Sequence, residues 1–306
     1  MRKVACFDIG GTFIKYGVVN EQGEILAKSK LNTPRNNCKE EIPKLIIKQI
    51  NELNKYHNIN SVGISTAGKV DSKNGEIIFA SENLPGYTGT KLSKEVKIKT
   101  GLECFVENDV NSAALAESWK GAGKGVSTFV CITLGTGVGG AIIINDELYQ
   151  GVMGGSGEVG HMIINESGDD CNCGSKGCFE RYASTAALIR NYTLKSGLSE
   201  QSLSGKDIFN KIKNGDERAI ESYKEFLNHI VTGLVNITHI FDPGLIVLGG
   251  GISDQGKPFL DDINELFKER VMPSYGEYTR IVQAQLGNDA GILGACYIAL
   301  NHNKEV

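Results

Sequence analysis

The stretch KVACFDIGGTFIKYGVV, residues 3–19, reads as strand, turn and returning strand. Residues 3–9 and 13–19 are rich in apolar, β-branched and aromatic side chains, and Gly10-Gly11-Thr12 breaks the run between them. The pattern returns at 128–144, where TFVCITL, GTGVGG and AIII follow one another. FDIGGT and TLGTGVGG look like one device used once in each half of the chain, which points to internal duplication. A third apolar run, LIVLGGGIS (245–253), also ends in glycines. Glycine lets main-chain N–H groups approach phosphate oxygens with no Cβ in the way, and Thr12 and Thr136 add hydroxyl donors. Read singly, each turn could be no more than a tight hairpin. There is no Walker A lysine pattern and no G-x-G-x-x-G opening a helix, which disfavours P-loop and dinucleotide-binding folds.

Working outward, strands and helices alternate. A third strand run covers 24–31, and helical spacing follows at Ile42, Leu45, Ile46, Ile50 and Leu53 within 39–57. A strand at 61–66, a hairpin at 69–79, a helix at 89–100, a strand ending in FVEN (105–108) and a helix at 110–120 complete the first half. After the second turn come a Cys-rich loop at 168–178 and helical runs at 179–196, 205–213 and 216–241. The strand from 245, helix 257–269, strand 280–284 and helix 290–301 close the chain. Such alternation predicts an α/β fold. The expected division is a smaller α/β domain over 1–120, completed by a C-terminal helix over 290–306, and a larger one over 121–289 carrying the Cys-rich loop. The two would meet near GAGKG (121–125) and face each other across a cleft, with the Gly turns at strand ends where α/β proteins bind ligands.

Composition narrows the function. The 306 residues are 41% hydrophobic and 22% charged, as in an ordinary globular protein, and the 38 glycines are the outlier. A net charge of −4 and the lack of a Lys/Arg block argue against nucleic acid as a partner. The uncharged run 125–145 is interrupted by Gly135, Gly137, Gly139 and Gly140 and reads as two β-runs, not a membrane span. With no signal-like N-terminus, the expectation is a cytoplasmic protein whose eight cysteines are reduced.

Three of those cysteines form Cys171-x-Cys173-x₄-Cys178 in a Gly-containing loop, and His161 lies ten residues upstream. Three thiolates and one imidazole make a closed tetrahedral site for a structural Zn²⁺, the alternative being three reduced surface thiols. Such a metal would use one nitrogen of His161 and leave the other for a ligand. Cys6, Cys131 and Cys296 lie in apolar runs and read as inert buried thiols.

Taken together, FDIGGTFIKYG (7–17), VENDVNSAALAE (106–117), LGTGVGG (134–140), GEVGH (157–161), CNCGSKGC with FERYAS (171–184) and LGGGIS (248–253) resemble the ROK family of sugar kinases and repressors. The resemblance runs nearly end to end. It implies a two-domain actin-like ATPase (ribonuclease H-like) fold with duplicated strand–turn–strand phosphate loops, and an ATP-dependent sugar kinase that works with Mg²⁺ as a homodimer. It makes Asp109 the catalytic base. A sugar hydroxyl is a poor nucleophile at neutral pH, and a carboxylate that takes its proton assists attack on the γ-phosphate. Asp109 could equally cap the helix that follows it. Asp8 would hold Mg²⁺ through water, or is a turn residue; Lys15 would offset phosphate charge, or is solvated.

The nucleotide phosphates would lie on Gly10, Gly11, Thr12, Gly135, Thr136, Gly137, Gly249, Gly250 and Gly251. The sugar would meet Asn83, Asn108, Asp109, Glu158, His161 and Glu180, with Ala67, Gly68 and the segment 83–87 as walls near C2. Without the resemblance, Glu180 reads as a surface acid. No Lys or Arg stands among these groups, which disfavours sugar acids. The implied acceptor is the 6-hydroxyl of a neutral hexose or N-acetylhexosamine, with N-acetylmannosamine and glucose leading and β-glucosides as the alternative. A repressor would need a helix-turn-helix segment ahead of Asp8, for which the sequence leaves no room. A non-catalytic sugar sensor would lack the base.

Overall fold

The computed structural model describes residues 1–198, 203–252 and 255–302. Contacts divide the chain into a first unit of residues 1–125, 148–156 and 285–306 and a second unit of 126–147 and 157–284. The boundary therefore falls at 125/126, five residues beyond the expected one. Residues 148–156 return to the first unit, 285–289 join it with the final helix, and it is not the smaller of the two. Residues 303–306 of the expected helix and Ser253 of the third Gly motif lie outside the described residues.

The first unit is built on β1 (Lys3–Ile9), β2 (Phe13–Asn20), β3 (Ile25–Asn32), β4 (Ser61–Thr66) and β7 (Cys104–Asn108), in the spatial order β3-β2-β1-β4-β7. β1 runs antiparallel to β2 and parallel to β4, and β4 parallel to β7. The alternation of β1 sets the layers. Ala5, Phe7 and Ile9 enter one core with Ile42, Ile46 and Ile50 of α1 (Cys38–His57) and Leu92 and Val96 of α2 (Leu92–Thr100). Val4 and Cys6 enter another core with Ala116 of α3 (Asp109–Lys120) and Ile292, Ala295 and Cys296 of α10 (Ala290–Asn301). Two glycines allow that second layer to pack closely. A Cβ at Gly63 would lie 1.9 Å from the Ala295 carbonyl oxygen, and one at Gly294 would lie 2.0 Å from that of Ser112. A small hairpin, β5 (Lys69–Asp71) with β6 (Glu76–Phe79), leaves the end of β4.

The second unit repeats this plan. Its sheet has the order β10-β9-β8-β11-β12, with β8 (Phe129–Leu134), β9 (Val138–Ile144), β10 (Glu147–Leu148), β11 (Leu245–Gly249) and β12 (Arg280–Gln283). Again the first strand is antiparallel to the second and parallel to the fourth. Val130, Ile132 and Leu134 pack with Phe226, Ile230, Leu234 and Ile237 of α7 (Glu217–Phe241) and with Phe259 and Ile263 of α8 (Lys257–Arg270).

The expected helix over 179–196 is two helices, α4 (Glu180–Ala183) and α5 (Thr185–Ser196). The Ser184 hydroxyl accepts from the Ala187 N–H, so Ser184 closes one helix and caps the next. α6 (Gly205–Lys213) is as expected, whereas α9 (Pro273–Tyr278) was not foreseen. No helix among the described residues is long and apolar enough to cross a membrane.

Candidate active site

In the first unit, three parallel strand ends bring the site residues together. Asp109 follows β7 as the first residue of α3 and is half-buried. The cap of α3 is Asn108, not Asp109. The Asn108 Oδ1 accepts from the N–H groups of Val110 (2.8 Å) and Asn111 (3.1 Å). The Asn108 Nδ2 donates to the Gly68 carbonyl and to Asp109 Oδ1, each at 3.0 Å. These four bonds use both donors and both acceptor positions of the amide. Asn108 thereby orients Asp109 and Gly68. Asp109 Oδ1 also accepts from the Val110 N–H at 3.0 Å, while no hydrogen bond among the described residues reaches Oδ2. Loss of solvation, with the charge of Asp8 as the next contribution, pushes the Asp109 carboxyl up to about 6.

Asp8 lies near the end of β1. Its Oδ2 pairs with Lys15 Nζ at 3.2 Å, and its Oδ1 accepts from the Ser65 hydroxyl at 3.3 Å. Lys15 is thus paired while its side chain stays partly exposed, and it also donates to the Asn288 carbonyl at 3.4 Å. The Gly10-Gly11-Thr12 turn is closed by the Gly10 N–H on the Phe13 carbonyl (3.0 Å). Thr33 holds it through bonds to the Gly10 and Thr12 carbonyls. The N–H groups of Gly11 and Thr12 serve no hydrogen bond among the described residues. Asn83 lies against this turn, its Cβ 3.2 Å from where a Gly11 Cβ would be. Ala67 donates its N–H to the Ile9 carbonyl (3.0 Å), and Gly68 has φ 105° with no room for a Cβ beside the Phe79 carbonyl. Of the expected wall over 83–87, Leu84 and Tyr87 point into the core instead.

In the second unit, the Gly135 N–H closes the matching turn on the Gly137 carbonyl at 2.9 Å, and Thr136 is exposed at its crown. Space beside Gly135 and Gly251 is open. Gly137 is there for another reason, because a Cβ would lie 2.1 Å from Glu180 Oε2, which accepts the Val138 N–H at 3.0 Å. Glu180 is therefore a brace of the turn and not a solvated surface acid. Gly250 (φ 86°) packs on the backbone of Leu134, and the Ile252 N–H donates to the Leu134 carbonyl at 3.2 Å; this places the run Gly249-Gly250-Gly251 beside the second turn.

GEVGH lies on β9. A Cβ at Gly140 would meet the Gly157 carbonyl oxygen at 2.7 Å, and one at Gly160 would meet that of Val138 at 2.0 Å. Glu158 and His161 are exposed, with Glu158 Oε2 4.0 Å from His161 Nε2. The other nitrogen, Nδ1, is 3.7 Å from Cys171 Sγ, and Cys173 and Cys178 have their sulfurs 3.6 Å apart. All four donor atoms lie within 4.8 Å of one another. On a tetrahedral Zn²⁺ with bonds of about 2.3 Å, sulfurs stand roughly 3.7 Å apart. The donor set fits such an ion. The ring of Phe179 against Gly233 of α7 anchors the end of this loop.

Several participants carry no local signature. Ser65 on Asp8 is one. Gly291 is another, since a Cβ there would lie 2.4 Å from the Asp8 carboxyl carbon. His229 packs against the Tyr182 ring, and His239 accepts from the Met272 N–H at 3.3 Å.

A glucokinase of Thermotoga maritima is 34% identical over 97% of this chain and 96% of its own. A β-glucoside kinase of Listeria monocytogenes is 31% identical over 96% of both. The crystal structure of a ROK family glucokinase from Streptomyces griseus, in complex with glucose and AMPPNP, is 36% identical. It superposes with a TM-score of 0.84 over 98% of this chain and 99% of that one. The fold is thus the actin-like ATPase fold of the ROK kinases. The ROK family model matches residues 4–302, and the chain belongs to the ROK family.

Proposed function

We propose that this protein is an ATP-dependent sugar kinase that transfers the γ-phosphoryl group to the 6-hydroxyl of a neutral aldohexose, glucose first, or of its N-acetylamino derivative. The observation that carries the reading is the state of Asp109. Oδ1 is held by two donors and Oδ2 is unengaged, and the carboxyl has been pushed up to about 6. A base of that strength is charged at neutral pH yet still takes a proton readily. Oδ2 accepts the proton of the sugar hydroxyl as its oxygen attacks phosphorus, and the Asn108 amide keeps the carboxylate from turning. Glucose stands first because relatives named glucokinase reach 34–36% identity over nearly the whole chain.

In this reading the unused N–H groups of Gly11 and Thr12 receive phosphate oxygens. Asp8 would hold Mg²⁺ through water; its two contacts are long, and each carboxylate oxygen keeps a lone pair. When bound, that ion neutralises phosphate charge. His161 Nδ1, Cys171, Cys173 and Cys178 would hold a structural Zn²⁺, whose chemistry is to fix the imidazole so that Nε2 faces Glu158. Within the second unit, Glu158 and His161 present exposed polar atoms for sugar hydroxyls.

The test is a coupled ADP-release assay over glucose, mannose, N-acetylmannosamine, N-acetylglucosamine, β-glucosides, fructose and glucuronate, with the product phosphate located by NMR. Turnover of an aldohexose with phosphate on O6 is expected. Activity confined to ketoses or uronates, or phosphate on the anomeric oxygen, rejects the proposal.

A further inference from the structure

The chain passes between its two units four times, at 125/126, 147/148, 156/157 and 284/285. On the first unit's side, every passage is tied to one of two buried glutamates, Glu107 and Glu117. They lie two residues before and eight residues after Asp109. Glu117, on α3, is 1% exposed. Its Oε2 accepts the Ala122 N–H at 2.7 Å, and its carbonyl accepts the N–H groups of Gly121 and Gly123, which fixes the approach to the first passage. Its Oε1 accepts the N–H groups of Gln285 and Leu286, both at 2.9 Å, and these are the first two residues after the fourth passage.

Glu107 is 4% exposed. Its Oε1 accepts from the Asn108 N–H (2.8 Å) and from Asn111 Nδ2 (3.0 Å). Its Oε2 accepts from the Ser72 hydroxyl (2.7 Å) and from Gln150 Nε2 (2.8 Å). Gln150 belongs to the returning segment 148–156, which closes on itself because Ser156 donates its N–H to the Gln150 carbonyl at 3.1 Å and its hydroxyl to the Tyr149 carbonyl. One side-chain bond thus holds the second and third passages together.

Neither glutamate has a cation within ion-pair distance among the described residues. A buried carboxylate without a counter-charge is costly, and well-packed apolar side chains are often the more stable choice at such positions. What carboxylates add is direction, since each oxygen accepts only from donors in defined places. We infer that Glu107 and Glu117 are positioning residues for phosphoryl transfer, which tie all four chain passages to the strand and helix that carry Asp109. This rests on the kinase reading.

The donors distinguish the two residues. In Glu107→Gln the amide oxygen keeps Asn108 and Asn111, and the new NH₂ faces a hydroxyl and a glutamine amide, both able to turn and accept. In Glu117→Gln the new NH₂ faces the Ala122 N–H, a backbone donor that cannot turn. Amide hydrogen exchange on the full-length protein without substrates reads the ties directly, and steady-state kinetics on the best sugar reads their use. Gln150→Ala should speed exchange in 148–156 by about tenfold, the value of one charge-assisted hydrogen bond at its low end. Glu117→Gln should do the same in 121–125. Both should lower kcat by about five- to tenfold, with KM for ATP within about twofold. Glu107→Ala should lose as much as Gln150→Ala, and Glu107→Gln should recover most of that loss. Unchanged exchange in an active protein overturns the inference, as does faster exchange with unchanged kcat or a Glu107→Gln as impaired as Glu107→Ala. Wild-type protein inert toward every sugar overturns the kinase reading and the positioning role together.

Discussion

The two five-stranded sheets share strand order, and their four strands from the second to the fifth in that order share direction, yet they differ at matching positions. In the first, Asp8 sits opposite Lys15 across the hairpin and forms an ion pair. In the second, the corresponding pair is Thr133 opposite Gly139, with neither charge nor bulk. The fifth strand of the first sheet ends in Glu107-Asn108 and runs straight into α3, whose first residue is Asp109. That of the second ends at Gln283 and passes out of the unit. The glycines differ as well. Those of β9 and the turn before it make room for Glu180 and for GEVGH, whereas Gly11 lies against Asn83. A duplicated frame thus supplies two equivalent turns, and under the kinase proposal the ionisable groups at the strand ends would make one half reactive and leave the other to grip.

The sharpest way to break this contrast is at Asp109. Asp109→Asn keeps the hydrogen bonds to Asn108 and Val110 and removes the proton acceptor, so kcat should fall by about 10² to 10⁴ with sugar binding retained. Near-normal turnover would mean that the reactive half has been misassigned.

The metal loop tests the gripping half. Purified protein should carry about one zinc per chain, given one four-donor cluster among the described residues. Cys173→Ser should lose the metal, lower Tm and weaken sugar affinity, without the loss of kcat seen at Asp109. Metal-free native protein, or a variant with normal sugar affinity, would separate the loop from sugar binding.

A finer distinction lies within one turn. Gly137→Ala forces Glu180 off the Val138 N–H, which should cost about 10- to 100-fold in ligand affinity, the worth of a hydrogen bond to a charged group. Gly135→Ala meets open space and should fold normally. Equal effects from the two variants, measured by titration calorimetry, would show that Glu180 is not the reason for the glycine at 137.

The smallest expected effect is thermodynamic. Asp109 is harder to ionise in the folded chain, at about 6, than an ordinary aspartate at about 3.9. Its charge therefore costs stability in full above the folded value and nothing below the unfolded one. Asp109→Asn should be more stable than wild type by about 1–3 kcal/mol at pH 8, and that advantage should vanish by pH 4. In the wild type, kcat should decline about tenfold per unit below pH 6. A flat acid limb, or a destabilised Asn variant at pH 8, would contradict the burial argument.

Strand positions are legible from 3 to 32 and from 128 to 144 because apolar strand runs and Gly turns are local patterns. The helix break at Ser184 was not, since a serine inside an apolar helical run signals a cap only when the chain turns there. Nor was the cap role of Asn108 separable from that of Asp109, because both residue types cap well.

Much of the chemistry is determined by the sequence alone: two Gly-Thr turns after buried strands, a carboxylate at a strand-to-helix junction, and three cysteines with metal-ligand spacing. These are short-range patterns, and backbone sterics and ligand geometry act within a few residues. Tertiary structure alone decided who surrounds those groups. Asp8 faces Ser65 and Gly291, Gly137 yields to Glu180, and the amides of Ala122, Gln285 and Leu286 meet on one glutamate. A buried carboxylate takes whatever donors folding brings to it. On Glu117 those donors are backbone N–H groups, which every residue except proline has, so nothing in the local sequence marks them.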